Sequence, residues 1–163
     1  MIPVLTTDRL ALRGATMADF ASYAAFYASD TSAIIGGPID TRAAWKRFAA
    51  DAGHWALKGF GWWTVVDADG PAGVVGFHHP EGTPDVELGW VTYPRATLRG
   101  YAVEAAGAAL AWAGGRWSRI VSNIDTGNTA SVRVAARLGA TDTRQAPAHD
   151  PACTIWLHRR RVA

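Results

Sequence analysis

One carboxylate and one loop carry the residue types that could do chemistry within a short stretch of this sequence. Glu87 lies in Val86-Glu87-Leu88-Gly89-Trp90-Val91, an apolar run that reads as a strand from Val86 to Val91, with Val86 and Leu88 directed to the face opposite Glu87. Partial burial on such a strand raises a carboxyl pKa toward the range of a working general base. The strand runs into Pro94, which cannot donate to a ladder and should end it. Arg95-Ala96-Thr97-Leu98-Arg99-Gly100 follows, basic and rich in small residues, and then Ala-rich sequence of high helix propensity. The N–H groups that open a helix lack internal partners and the helix dipole is positive there, so the junction suits an anion, above all a phosphate. Gly100 lets the backbone approach a ligand with no Cβ in the way, and Arg95 and Arg99 add charge nearby.

A second constellation lies downstream in Asp125-Thr126-Gly127-Asn128-Thr129-Ala130-Ser131, continuing to Arg137-Leu138-Gly139-Ala140. Asn128 is a sound N-cap and Gly139 a sound residue to follow the helix end. Asn128 and Ser131, three apart, share one end of one helix face. Plain capping accounts for this pattern without any ligand. The G-x-x-x-x-G-K-[ST] and G-x-G-x-x-G phosphate motifs are absent, as are G-x-S-x-G and paired-cysteine or H-x₃-H metal spacings. Adjacent His78 and His79 point to opposite faces of a strand and cannot chelate together, so no metal is expected. Cys153, in a late apolar strand, reads as a buried inert thiol. Glu104, in the first turn of the loop helix, reads as a structural partner of the dipole.

Taken together, Thr97-Leu98-Arg99-Gly100-Tyr101-Ala102 and Asn128-x-x-Ser131 with Leu138-Gly139-Ala140 resemble, in order and spacing, the two signatures of the GNAT N-acetyltransferase superfamily. The first matches its Gln/Arg-x-x-Gly-x-Gly/Ala loop, with Thr97 standing where Gln or Arg is usual. Thr7-Asp8-Arg9-Leu10-Ala11-Leu12-Arg13 further resembles the first strand of the ribosomal-protein N-terminal acetyltransferase branch. The resemblance implies acetyl-CoA as co-substrate, with its pyrophosphate on the backbone N–H groups of Leu98, Arg99, Gly100, Tyr101, Ala102 and Val103. It implies a backbone N–H near Trp90 to Thr92, around Val91, at the thioester carbonyl, and a bulge in the strand feeding the loop that splays it from the next. Asn128, Ser131 and Arg137 would face the pantetheine or adenosine side. Transfer would be direct, from the thioester to a neutral primary amine, with Glu87 as general base. The helix tyrosine that many relatives use to protonate the leaving thiolate is missing between Ser131 and Gly139.

The elements that must position these residues are legible in outline. Thr7 to Arg13 alternates as a half-buried strand. Met17 to Ser29 carries Phe20, Tyr23, Ala24 and Tyr27 on one helical face, and after Gly36-Gly37-Pro38 a second helix, capped by Thr41, repeats the period at Trp45, Phe48, Ala49 and Ala52. Phe60 to Val66 and Val74 to His78 form a hairpin with a loop of several residues around Asp69-Gly70. A helix from Gly100 to about Ala113, a strand from Arg119 to Ile124, the Asn128 helix, and strands at Ala140 to Arg144 and Thr154 to His158 complete the order β-α-α-β-β-β-α-β-α-β-β. That is an α/β fold with a mixed, mostly antiparallel sheet flanked by helices, one domain over residues 1–163. Trp62, Trp63, His78 and Trp90 lie on the middle strands and are the candidate acceptor wall, with alternation allowing only one of Trp62 and Trp63 to face a cleft.

Composition bounds the partners. With 163 residues, 49% hydrophobic and 18% charged, the chain can bury a substantial core. The net charge is only +2 and the basic residues are scattered apart from His158-Arg159-Arg160-Arg161, which reads as a solvated end, so no nucleic acid is expected. No run approaches the ~20 apolar residues of a membrane span, no signal peptide is visible, and the single cysteine fits a reducing compartment. These features predict a cytoplasmic protein, monomer or homodimer. Two function classes follow: an acetyl-CoA-dependent N-acetyltransferase acting on a protein N-terminus or small-molecule amine, or a non-catalytic acyl-CoA-binding or sensing module.

Overall fold

The computed structural model describes residues 1–158; the basic run at Arg159, Arg160 and Arg161 lies outside them. In chain order the elements are β1 (Leu5–Thr6), β2 (Ala11–Arg13), α1 (Phe20–Tyr27), α2 (Thr41–Lys58), β3 (Trp62–Asp67), β4 (Gly70–His78), β5 (Val86–Thr92), α3 (Tyr101–Ala113), β6 (Ile120–Asp125), α4 (Thr129–Arg137), β7 (Thr141–Asp142) and β8 (Cys153–His158). The strands make one eight-stranded sheet in the order β1-β2-β3-β4-β5-β6-β8-β7. The expected order of elements is present. The strand expected from Thr7 to Arg13 is shorter, Ala11–Arg13 alone, because Thr7 N–H donates to Leu10 O in a reverse turn, and the unforeseen β1 precedes that turn.

Every strand pair is antiparallel except β5 with β6. That parallel ladder has only Val86 opposite Ile120 and Glu87 opposite Val121; from Leu88 onward the two strands part. The gap opens without the expected bulge, since β5 pairs with β4 in unbroken register from His78 opposite Glu87 to Gly73 opposite Thr92. The one register shift falls instead between Val65 and Val66 in the β3–β4 ladder. The β3–β4 hairpin closes on Ala68 and Asp69, a two-residue turn rather than a longer loop, because the pairing extends back through Pro71 to Gly70.

The helices cover opposite faces. Beneath α3, whose Ala105, Ala106 and Ala109 are flush with the sheet, Leu12, Trp63, Phe77 and Leu88 form the main core. On the other face, α1 and α2 pack Tyr23, Phe26, Tyr27 and Phe48 over Val74 and Tyr93. Asp40, not Thr41, caps α2, its carboxylate accepting the Ala43 N–H at 2.7 Å, because Asp40 is the residue in extended conformation before the first helical one. No helix among the described residues is long and apolar enough to cross a membrane.

Trp63 is fully buried and stands edge-on to Trp55 at 4.8 Å and to Trp112 at 5.1 Å between ring centroids. It therefore does not reach a cleft, and its place in the expected acceptor wall is corrected: alternation sends Trp63 into the core and Trp62 to the other face. Trp63→Ala should lower stability by about 3–5 kcal/mol, as for other buried aromatic truncations, measured by urea unfolding.

Candidate active site

Two hollows meet where β5 leaves β6. The outer groove, with a cavity volume of 740 Å³, is lined by the loop after β5, the start of α3 and the first turns of α4. The inner cleft, 340 Å³, lies between the α1–α2 face and the sheet. Trp90, Val91, Asn128 and Ser131 line both, together with Ile34 and Ile35. A ligand in the groove and a second in the cleft would therefore touch at the gap between the strands.

The groove borders the junction read from sequence as an anion cradle, and its cations are a different set. Gly100 caps α3 at φ +80°, a left-handed conformation that disfavours any side chain. Leu98, Gly100, Tyr101, Ala102 and Val103 line the groove. Arg95 and Arg99 do not. Arg95 turns away to Asp67, at 2.9 Å, and to the Pro71 carbonyl, while the Arg99 guanidinium lies 3.9 Å from Asp67 and 4.0 Å from Asp69. Arg99 is thus corrected as a groove side chain, because the β3–β4 hairpin carries the acidic partners that draw it off. The cations on the groove are Arg133 and Arg137 of α4. Arg137 was expected; Arg133, one turn earlier on the same face, was legible in the i, i+4 spacing. Asn128 caps α4, its side-chain oxygen accepting the Ser131 N–H at 3.0 Å. Glu104 has the structural role expected, binding Thr7 and Arg9.

Strand alternation fixes which backbone groups face the gap. Tyr93 N–H donates to Ala72 O at 2.8 Å. In an antiparallel ladder such groups alternate, so the Val91 N–H, two residues earlier, also turns to β4. Trp90 and Thr92 turn theirs toward the gap. Within the expected range Trp90 to Thr92, the ladder thus turns the Val91 N–H away from the gap and leaves those of Trp90 and Thr92 facing it. Ser122 of β6 reaches across, its hydroxyl donating to Leu88 O at 2.6 Å. His158 lies 2.8 Å from the same hydroxyl, and burial pushes its pKa down to about 4, keeping it neutral. With Ser122 already donating to Leu88, His158 donates from Nε2, and among the described residues its Nδ1 has no hydrogen-bond partner.

The cleft floor is a row of side chains on three strands. Glu87 and His78 are cross-strand partners and both line the cleft. Burial raises the Glu87 pKa, offset in part by hydrogen bonds from the Asn123 backbone at 3.3 Å and side chain at 3.0 Å. Burial likewise lowers that of His78, so the imidazole is neutral. Next in the row, Trp62 lies over Gly76 and Gly89: a Cβ on Gly89 would fall 2.3 Å from the Trp62 ring. Trp90 borders the cleft, but its ring belongs to the opposite face, packed against the α3 core. Cys153 lines the cleft instead of being buried in the core. Burial and Asp150, on which its thiol is hydrogen-bonded, push its pKa up to about 12, so it is inert as expected.

The roof holds residues that sequence reasoning missed. Asp51 of α2 lines the cleft and accepts the Tyr23 hydroxyl at 2.7 Å. Burial raises its pKa to about 6, against the lowering effects of Tyr23, Arg47 and His54. The signal was available: Ala44, Phe48, Asp51 and Trp55 repeat at helical spacing, so Asp51 sits in an otherwise apolar stripe. Arg47 also lines the cleft, its guanidinium 4.6 Å over the Tyr27 ring and bonded to Ile35 O.

Comparison with known proteins bears on this geometry. The family model of the acetyltransferase (GNAT) domain matches residues 9–141. The chain belongs to the GNAT acetyltransferase family. An acetyltransferase from Agrobacterium tumefaciens is 36% identical over 98% of this chain and 96% of its own, with a TM-score of 0.92. A Bordetella pertussis protein provisionally assigned as a GNAT-family acetyltransferase is 29% identical over 96% and 99%, with a TM-score of 0.82. RimL, a ribosomal L7/L12 α-N-protein acetyltransferase solved with coenzyme A, shares the fold at a TM-score of 0.76 and 15% identity, over 99% of this chain and 100% of its own. No curated protein matches the chain. Acetyl transfer from acetyl-CoA is general to the GNAT family, and the groove is large enough and of the right polarity for a pyrophosphate.

Two outcomes follow. Arg133→Ala and Arg137→Ala should each weaken acetyl-CoA binding by roughly tenfold, the worth of one charge-assisted hydrogen bond, while Arg99→Ala changes it little; calorimetry distinguishes them. Asp51 titrates at about 6 when folded and 3.8 ordinarily, so its carboxyl favours the fold below pH 3.8 and that contribution is lost as pH rises through 6. Asp51→Asn should therefore gain on the wild type between pH 4 and 7, by up to about 3 kcal/mol, in urea unfolding across that range.

Proposed function

We propose that the protein is an N-acetyltransferase that moves the acetyl group of acetyl-CoA directly to a primary amine. The observation that carries this reading is the meeting of groove and cleft at the β5–β6 gap, with the half-buried carboxylate of Glu87 on the cleft side. A thioester reaching the gap from the groove would find the Trp90 N–H facing it, a donor suited to the charge that develops on the carbonyl oxygen. An amine in the cleft would stand on the other side of that carbonyl. Glu87 takes a proton from the ammonium, the nitrogen forms a bond to the carbonyl carbon, the carbon–sulfur bond breaks to release CoA thiolate, and the surplus proton on the nitrogen passes to that thiolate, leaving the amide and CoA. Holding both partners in the two hollows supplies orientation. A raised carboxyl pKa narrows the gap to the ammonium that Glu87 must deprotonate, an α-amino group (about 7.7–8.0) or an alkyl amine (about 10.4).

The bonds from Asn123 to Glu87 support the same role. They hold the carboxylate on the cleft floor and leave lone pairs for a water or an amine. A non-catalytic module would bind acetyl-CoA and release no CoA with any amine, so a panel of primary amines with free CoA as readout separates the two readings.

Glu87→Gln should lower kcat/KM by about 10²–10⁴-fold, the range of a positioned base, and should flatten the acid limb of its pH profile, where the wild type loses activity as Glu87 protonates. A fall of less than about tenfold with the limb unchanged would remove Glu87 from the mechanism.

A further inference from the structure

Resting on that reading of an amine acceptor, we propose that the acceptor is a small aliphatic diamine or polyamine, whose second ammonium is held by Asp51 on the roof of the cleft while the first reacts beside Glu87.

The cleft has the pattern of such a molecule. One carboxylate stands on its floor and another on its roof, both partly deprived of water. Asp51 accepts the Tyr23 hydroxyl, and among the described residues its other oxygen takes no hydrogen bond from the protein. Asp51 is half-buried, and a carboxylate partly withdrawn from water without an ion pair is completed by a cation. Arg47 does not do so. It acts on Asp51 only through space, and it is held on the Tyr27 ring and the Ile35 carbonyl. The apolar part of the cleft lining includes Ile34, Ile35, Trp62 and Val74. A polymethylene chain suits that part, and the Trp62 face adds attraction for an ammonium passing it.

Charge and size favour a small cationic acceptor. Asp125 and Asp150 also line the cleft, and Arg47 is its one arginine or lysine among the described residues. His78 is kept neutral by burial and does not oppose a cation. At 340 Å³ the cleft lies at the small end of ligand sites, which run from about 300 to 1,000 Å³, enough for an extended diamine and small for a folded-protein terminus.

The test is steady-state acetylation by the full chain at saturating acetyl-CoA, with free CoA as readout. The acceptors are 1,4-diaminobutane, spermidine, n-butylamine and a short peptide with an N-terminal lysine. The diamine and spermidine should exceed n-butylamine in kcat/KM by at least about tenfold, the value of a charge-assisted contact. Asp51→Asn should bring that ratio to within about twofold of unity, and Asp51→Glu, which keeps the charge, should retain most of it. A merely structural Asp51 would affect all amines alike and leave the ratio unmoved. Equal use of n-butylamine and the diamine by the wild type, a ratio that survives Asp51→Asn, or preference for the peptide would each overturn the proposal. Acetyl-CoA binding with no CoA released by any amine would instead overturn the N-acetyltransferase reading itself.

Discussion

The parting of β5 from β6 is the constraint on which the site depends. Two residue pairs hold the strands together at Val86 and Glu87, and beyond them each strand keeps only its outer neighbour. The unpaired inner edges would ordinarily attract one another or water. Ser122 prevents closure by placing a side-chain hydroxyl where a backbone N–H would sit, on Leu88 O, and the neutral His158 behind it holds that hydroxyl in place. Because the strands separate at this point, the helix starts of α3 and α4, which follow β5 and β6 respectively, open onto one shared hollow.

The loop beneath that hollow is fixed by contacts with distant parts of the chain. Arg95 ties it to the β3–β4 hairpin through Asp67, and Arg9 ties its last carbonyl, that of Arg99, and Glu104 to the β1–β2 turn. Asp67 is nearly shielded from solvent, and its bond from Arg95 holds its carboxyl below the usual range. The arginines that look like phosphate ligands in sequence are thus the pins of the cradle, leaving backbone N–H groups as its lining. A loop held in this way is already ordered when a ligand arrives, which lessens the entropy lost on binding.

How far the site was legible in sequence follows from which interactions are local. The helix caps at Asn128 and Gly100, the arrest of β5 before Pro94 and the order of elements all depend on neighbours within a few residues, and they were readable. The facing of Glu87 and of Trp62 against Trp63 followed from a period of two. The direction of Arg95 and Arg99 was not readable, because Asp67 comes from a hairpin 28 residues earlier than Arg95. Nor was it readable which N–H groups between Trp90 and Thr92 face the gap, since that depends on how β5 pairs with β4. Asp51 was readable as a carboxylate in an apolar stripe, yet only the packing of α2 over the sheet shows that this stripe roofs a cleft.

The contact between Trp62 and Gly89 has a consequence for how this cleft can vary among relatives. The ring occupies the space that any side chain at 89 would need, so the two positions behave as one unit of sequence change. A lineage cannot enlarge residue 89 while tryptophan remains at 62; the ring must shrink first, and the intermediate carries a void on the cleft floor. Divergence in what the cleft accepts is therefore expected to pass through paired substitutions at 62 and 89, and relatives with a side chain at 89 should carry a small residue at 62.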